Sequence, residues 1–120
     1  MNEAAASSWI YSRLGDDPDL GELVVEFVAE LPGRIATIEA EASQSNWAQV
    51  TRFAHQLKGA AGSYGFDALT PYAKNLEAAS RDDVDAENVL RTLHELIDIC
   101  RRVRPGVPEP SRDSSWSFPS

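Results

Sequence analysis

Five residues between positions 51 and 62 have the types and spacing for chemistry on one face of a helix. If the chain is helical there, each residue advances about 100°, so Thr51, His55, Lys58, Gly59 and Gly62 share one sector about 100° wide. The chemistry this suggests is nucleophilic. Near neutral pH an ordinary imidazole, with a pKa of about 6.5, is substantially unprotonated and attacks electrophiles without a strong base. A phosphoryl group taken up this way brings two negative charges. Lys58, three residues on, is placed to reach and offset them. Its ammonium holds such a load less tightly than a bidentate guanidinium, which suits a transient product.

The glycines are the anomaly. In a helix interior each costs about 1 kcal/mol relative to alanine, and the adjacent Ala60-Ala61 pair indicates that alanine is acceptable nearby. Missing side chains one and two turns beyond His55 flatten the helix and let another protein's backbone come close. A lone helical histidine is ordinarily just solvated, and the lysine and glycines are what set His55 apart. His94 has neither at matching offsets, sits near the edge of another apolar stripe, and reads as structural.

The elements that position this face are all predicted helical. Trp47, Val50, Ala54, Leu57, Ala61 and Tyr64 recur in steps of three and four. The midpoint of that stripe lies about 120° from the His55 sector, which is therefore expected to be solvated. Ser45 or Asn46 opens this helix and Gly65 stops it. Before it, a short lid helix is expected over residues 6–14, with Trp9, Ile10 and Leu14 inward, stopped by Gly15 and Asp16-Asp17-Pro18. Asp19 is the expected cap of a long helix carrying Leu20, Leu23, Val24, Phe27, Leu31, Ile35 and Ile38. Pro32-Gly33 interrupts that helix as a kink or, less in keeping with the continued register, as a break into two.

After the histidine helix, Asp67 or Thr70, with Pro71 in the first turn, starts a helix through Tyr72, Ala73, Leu76 and Ala79. Asp85 caps the last one, with Val89, Leu90, Leu93, Leu96, Ile97, Cys100 and Val103 inward and Arg101, Arg102 and Arg104 in its final turn. The expected fold is all-α: an antiparallel up-and-down four-helix bundle with a short N-terminal lid helix, spanning residues 1–104. Residues 105–120, with four prolines and five serines, read as a tail, although Trp116 and Phe118 offer groups that could dock on a groove.

Composition narrows the function classes. A chain that is 42% hydrophobic and 25% charged is expected to fold as a single globular unit, and no apolar run approaches the roughly 20 residues of a membrane span. No basic, apolar leader is evident, so a cytoplasmic setting is expected. The single Cys100 permits neither an internal disulfide nor a cysteine metal cage. A net charge of −8 disfavours nucleic acid as a partner. Neither histidine follows a glutamate by three residues, as an inward-facing metal-carboxylate bundle requires. No Walker loop or glycine-rich phosphate cradle is present.

The stretch AHQLKGAAGSYGFDAL over residues 54–69, followed by Ala73, Leu76 and Glu77, closely resembles the signature of histidine-phosphotransfer (HPt) domains. The similarity extends over residues 17–104 through the acidic-Leu-x-x-Leu-Val run before Phe27, the Leu31-Pro32 step, Trp47 and the final amphipathic helix. The resemblance implies a carrier rather than a kinase. His55 would accept phosphate from the aspartyl phosphate of a response-regulator receiver domain, fed by a hybrid histidine kinase, and pass it to another receiver. It places Lys58 beside the phosphate and Gly59 and Gly62 at the close approach. No cofactor is expected on this chain, the magnesium ion residing on the receiver, and a monomer is expected. The docking surface is expected to include Thr51, Arg52, Gln56, Gly59, Gly62 and Phe66, with Gln56 at a variable polar position. Phe66 and Tyr64 otherwise read as packing residues, Lys74 and Arg52 as solubilising ones, and Trp47 as core. The rival class is a module that docks receivers or kinases as a scaffold or inhibitor without taking phosphate.

Overall fold

The computed structural model describes residues 9–108. Four helices make up most of it: α1 (Gly21–Ser43), α2 (Trp47–Ser63), α3 (Thr70–Arg81) and α4 (Ala86–Cys100). A 3-10 turn, Asp67–Leu69, leads into α3. Two short strands, β1 (Ile10–Tyr11) and β2 (Val103–Arg104), pair in parallel. Helices adjacent in sequence pack on one another, most extensively α2 on α3, and α4 returns to meet α1.

In α1 the buried residues Val24, Phe27, Leu31, Ile35, Ile38 and Ala42 repeat at helical spacing. The helix runs unbroken through Pro32, which overturns the two-helix alternative. An interior proline costs about 3 kcal/mol, whereas burying one large apolar side chain contributes about 1.5–3 kcal/mol. The stripe continues in register on both sides of the proline, so burial outweighs that loss. Asp19 does not cap. The Asp17 carboxylate accepts the N–H groups of Asp19 and Leu20 at 2.8 and 2.9 Å, and Leu20 is the N-cap without a side-chain bond. Leu20 is only half-buried and Leu23 is exposed, so the stripe begins at Val24.

The α2 helix buries Val50, Ala54, Leu57 and Ala61, with Trp47 and Tyr64 half-buried against the same core. Asn46 is its N-cap by position, but its amide donates to Glu41 Oε1 at 2.8 Å instead of capping. Gly65 ends the turn after α2 in the left-handed region, at φ 82°. A Cβ there would meet Ser12 Oγ at 2.4 Å, so both the backbone and the space demand glycine. Beyond it, Phe27 packs on Tyr64 and Phe66 with ring centroids 5.5 and 5.6 Å apart.

Asp85 caps α4 as expected, accepting the Glu87 N–H at 3.3 Å. The helix stops at Cys100, earlier than its apolar pattern suggested. Arg101 is its C-cap, while Arg102 and Arg104 lie beyond it and leave no basic residue in the last turn. Leu90 is exposed rather than inward. Cys100 is mostly buried, and that burial pushes its thiol up to about 12, leaving it unreactive.

The expected lid helix is also corrected. Residues 9–14 form β1 and a turn, while residues 6–8 lie outside the described residues. Ile10 pairs with Val103 and Tyr11 with Arg104, the Ile10 N–H donates to the Arg102 carbonyl at 2.7 Å, and Arg104 stacks over the Trp9 ring at 3.8 Å. The backbone bonds and the cation–π contact tie the start of the described chain to the end of the bundle. Of the expected tail, residues 109–120, with Trp116 and Phe118, lie outside the described residues. No helix among the described residues is long and apolar enough to cross a membrane.

Candidate functional site

Register on α2 decides what faces outward. With Val50, Ala54, Leu57 and Ala61 turned into the core, His55 is carried to the surface, where its side chain is 65% exposed. Gly59 and Gly62 follow it on that face, and a Cβ added at either meets nothing within 4 Å beyond the helix's own backbone. The flat approach inferred from spacing is thus present as open space beside the imidazole.

Beneath the ring lies a residue to which the sequence reading gave no role. Glu77, on the α3 stripe Ala73-Leu76-Glu77-Ser80, is only 8% exposed. Buried carboxylates require partners, and this one has two close ones: His55 Nδ1 at 2.8 Å from Oε2, and Lys58 Nζ at 2.8 Å from Oε1. Arg81 Nη1 stands farther off, at 3.9 Å from Oε2. The hydrogen bond from Lys58 chiefly holds the Glu77 carboxyl below its ordinary range, against the opposing effect of burial and with help from His55. Ionised, Glu77 only accepts, so the proton it shares with His55 sits on Nδ1 and the Nε2 lone pair is left for chemistry. The signal that could have revealed Glu77 is a charged residue at an apolar position of the α3 repeat.

The other expected site residues divide. Thr51 is half-buried. Its hydroxyl meets Ser80 Oγ at 2.7 Å and the Trp47 carbonyl at 3.0 Å, closing the α2–α3 seam rather than facing outward. Arg52 is exposed, with its guanidinium 5.5 Å from the centre of the Phe53 ring, and Gln56 is exposed beside His55. Phe66 is 1% exposed and packed on Phe27, so its side chain belongs to the core and is withdrawn from the docking surface. Lys74 is exposed, and so is His94, which therefore lies off the apolar stripe. Among the described residues no group of three or more His, Cys, Asp and Glu side chains is placed to hold a metal ion.

The sign of the Glu77 contribution follows from its lowered pKa. The stabilisation is complete above the ordinary value of 4.5 and disappears as pH falls through the lower folded-state value. Glu77→Gln keeps the shape and removes the charge, so it should cost about 1–2 kcal/mol at pH 7. Most of that belongs to the better-buried Lys58 bond, since the exposed imidazole is screened by water. Urea midpoints measured from pH 7 downward should converge for the two proteins below pH 4.5. A gap that stays constant into acid would show that the carboxylate charge is not its source.

An exposed imidazole whose Nδ1–H donates to a buried carboxylate, with a lysine on that carboxylate and a bare helical surface alongside, has the geometry to take and release a small electrophilic group. A family model described as the Hpt domain matches residues 22–104 of the chain. No curated protein and no solved structure matches it.

Proposed function

Because the chain belongs to the Hpt-domain family over residues 22–104, whose members carry phosphoryl groups in two-component phosphorelays, we propose that His55 is the phosphoacceptor and that receiver domains are its donors and acceptors. In this reading the lone pair of Nε2 attacks the phosphorus of an aspartyl phosphate on the receiver. The N–P bond forms as the P–O bond to the aspartate breaks, and the aspartate leaves as a carboxylate. The Nδ1 proton stays between the ring and Glu77, whose charge supports the positive charge the ring gains. Return of the group to a second receiver retraces the path, and the same carboxylate then orients the leaving imidazole.

Lys58 offsets the new charge, and the phosphoryl group competes with Glu77 for its ammonium. Gly59 and Gly62 admit the receiver's backbone, while Arg52 and Gln56 border the contact. The receiver supplies the magnesium ion and, upstream, a hybrid histidine kinase supplies the phosphate. The chain itself acts as a carrier without ATP chemistry, as a cytoplasmic monomer. Short connections between successive helices support an antiparallel up-and-down course for the bundle, with residues 1–104 as the working unit and 105–120 as its appendage.

The observation that carries this reading is the Nδ1 contact with Glu77 on an otherwise exposed ring, because it directs Nε2 to solvent. Incubation with phosphorylated receiver domains and magnesium, followed by mass spectrometry, tests it. Label should appear on His55 and be lost in mild acid, since the phosphoramidate bond is acid-labile. Label on another residue, or on none across several receivers, would overturn the assignment.

A further inference from the structure

We propose that Arg81 is a stand-by counter-ion for Glu77, aimed by Asp82, which takes over the carboxylate when Lys58 leaves it for a phosphoryl group on His55. The inference rests on the carrier reading above and adds a positioning residue to it.

The need for a replacement arises from burial. Lys58 and His55 each hold one oxygen of Glu77 at 2.8 Å, and the side chain is only 11% exposed. The two ring nitrogens of His55 point in divergent directions, so a phosphoryl group on Nε2 lies away from the carboxylate bound at Nδ1. A lysine drawn to the phosphoryl oxygens moves off Oε1. That would leave a nearly buried carboxylate without its closest full cation, a loss that water, which reaches the side chain poorly, does little to offset.

Arg81 is built to answer it. It lies one helical turn after Glu77 on α3, and its Nε and Nη2 donate to the two oxygens of Asp82 at 3.0 and 3.1 Å. This fork fixes the guanidinium plane and leaves Nη1 as the edge turned to Glu77, 3.9 Å from Oε2. That distance is too long for a hydrogen bond, yet a small side-chain shift closes it. Asp82 is the C-cap of α3 with an extended backbone. The Arg81 and Asp82 side chains are 56% and 62% exposed, so their pair adds little to fold stability and serves mainly to orient.

The prediction needs no phosphate to be tested, because Lys58→Ala imitates the lysine's departure. Urea unfolding of the full chain would be compared for wild type, K58A, R81A and K58A/R81A. In the wild-type background R81A should change the unfolding equilibrium little, whereas in the K58A background its effect should be roughly fivefold larger, the scale of coupling between groups that share a partner. The side-chain carboxyl ¹³C resonance of Glu77 should titrate at higher pH in the double variant than in K58A, a shift that a purely structural role for Arg81 would not produce. Equal effects of R81A in both backgrounds would overturn the proposal. In a second arm, phosphohistidine on R81A should hydrolyse severalfold faster than on wild type, and an unchanged lifetime would also overturn it. Failure of the wild type to accept phosphate would instead sink the carrier reading, while the unfolding cycle still decides whether Arg81 replaces Lys58 at Glu77.

Discussion

His55→Gln should leave the chain folded and abolish its uptake of phosphate from any phosphorylated receiver. The two halves of that result have separate causes. The imidazole is 65% exposed and supports no core packing, so exchanging it for another polar helix-compatible side chain should move stability by no more than about 0.5 kcal/mol. The glutamine amide can still donate to Glu77, but it has no lone pair on nitrogen with which to attack phosphorus. His94, the other imidazole, lies on α4 and has no carboxylate paired to its ring among the described residues, so it offers no substitute. Thermal melts beside phosphotransfer assays give both readings from one preparation. The same variant separates the carrier from a docking scaffold: a scaffold keeps its partner affinity and its effect on signalling, whereas a carrier keeps affinity and loses throughput. Labelling of the variant at the wild-type rate would sink the carrier.

Much of this site could be read in sequence because it is local. The offsets among His55, Lys58, Gly59 and Gly62 lie within two turns of one helix, where periodicity alone settles which residues share a face. Glu77 was missed as a participant because its bond to His55 spans 22 residues and exists only once α3 packs on α2. Its charge at an apolar position was visible, but nothing local says which cations meet it. The N-terminal error has the same origin. Trp9, Ile10 and Leu14 carry spacing compatible with a helix, yet Ile10 and Tyr11 are claimed by Val103 and Arg104 from the far end of the bundle. Pairing of that kind overrides local preference. The α4 terminus shows the converse, since Val103 continued the apolar pattern on paper while its backbone had already turned into β2. Phe66 was ambiguous for a simpler reason: an aromatic just past a helix end can turn either way, and here it stacks on Phe27 inside the core.

Replacing the glycines should separate stability from function with opposite signs. Gly59→Leu or Gly62→Leu adds a good helix former at a helical position where the new Cβ meets no neighbour within 4 Å beyond the helix's own backbone. Each should therefore stabilise the fold by about 0.5–1 kcal/mol, the usual gain over glycine in a helix. On the carrier reading, transfer from a phosphorylated receiver should fall, because the leucine would fill the open space beside His55 that the proposed docking requires. Forcing extra bulk into a close contact costs roughly 1–3 kcal/mol, and at about 1.4 kcal/mol per factor of ten that predicts a loss of roughly fivefold to a hundredfold in kcat/KM. Phosphorylation by phosphoramidate, a donor with no backbone to dock, should be nearly unaffected, since the ring and its bond to Glu77 are untouched. Alanine at either position should lie between, nearly as stable as leucine and closer to wild type in transfer. A leucine variant that both gains stability and transfers at the wild-type rate would mean that the bare face has no part in docking, leaving two destabilising glycines without a physical reason.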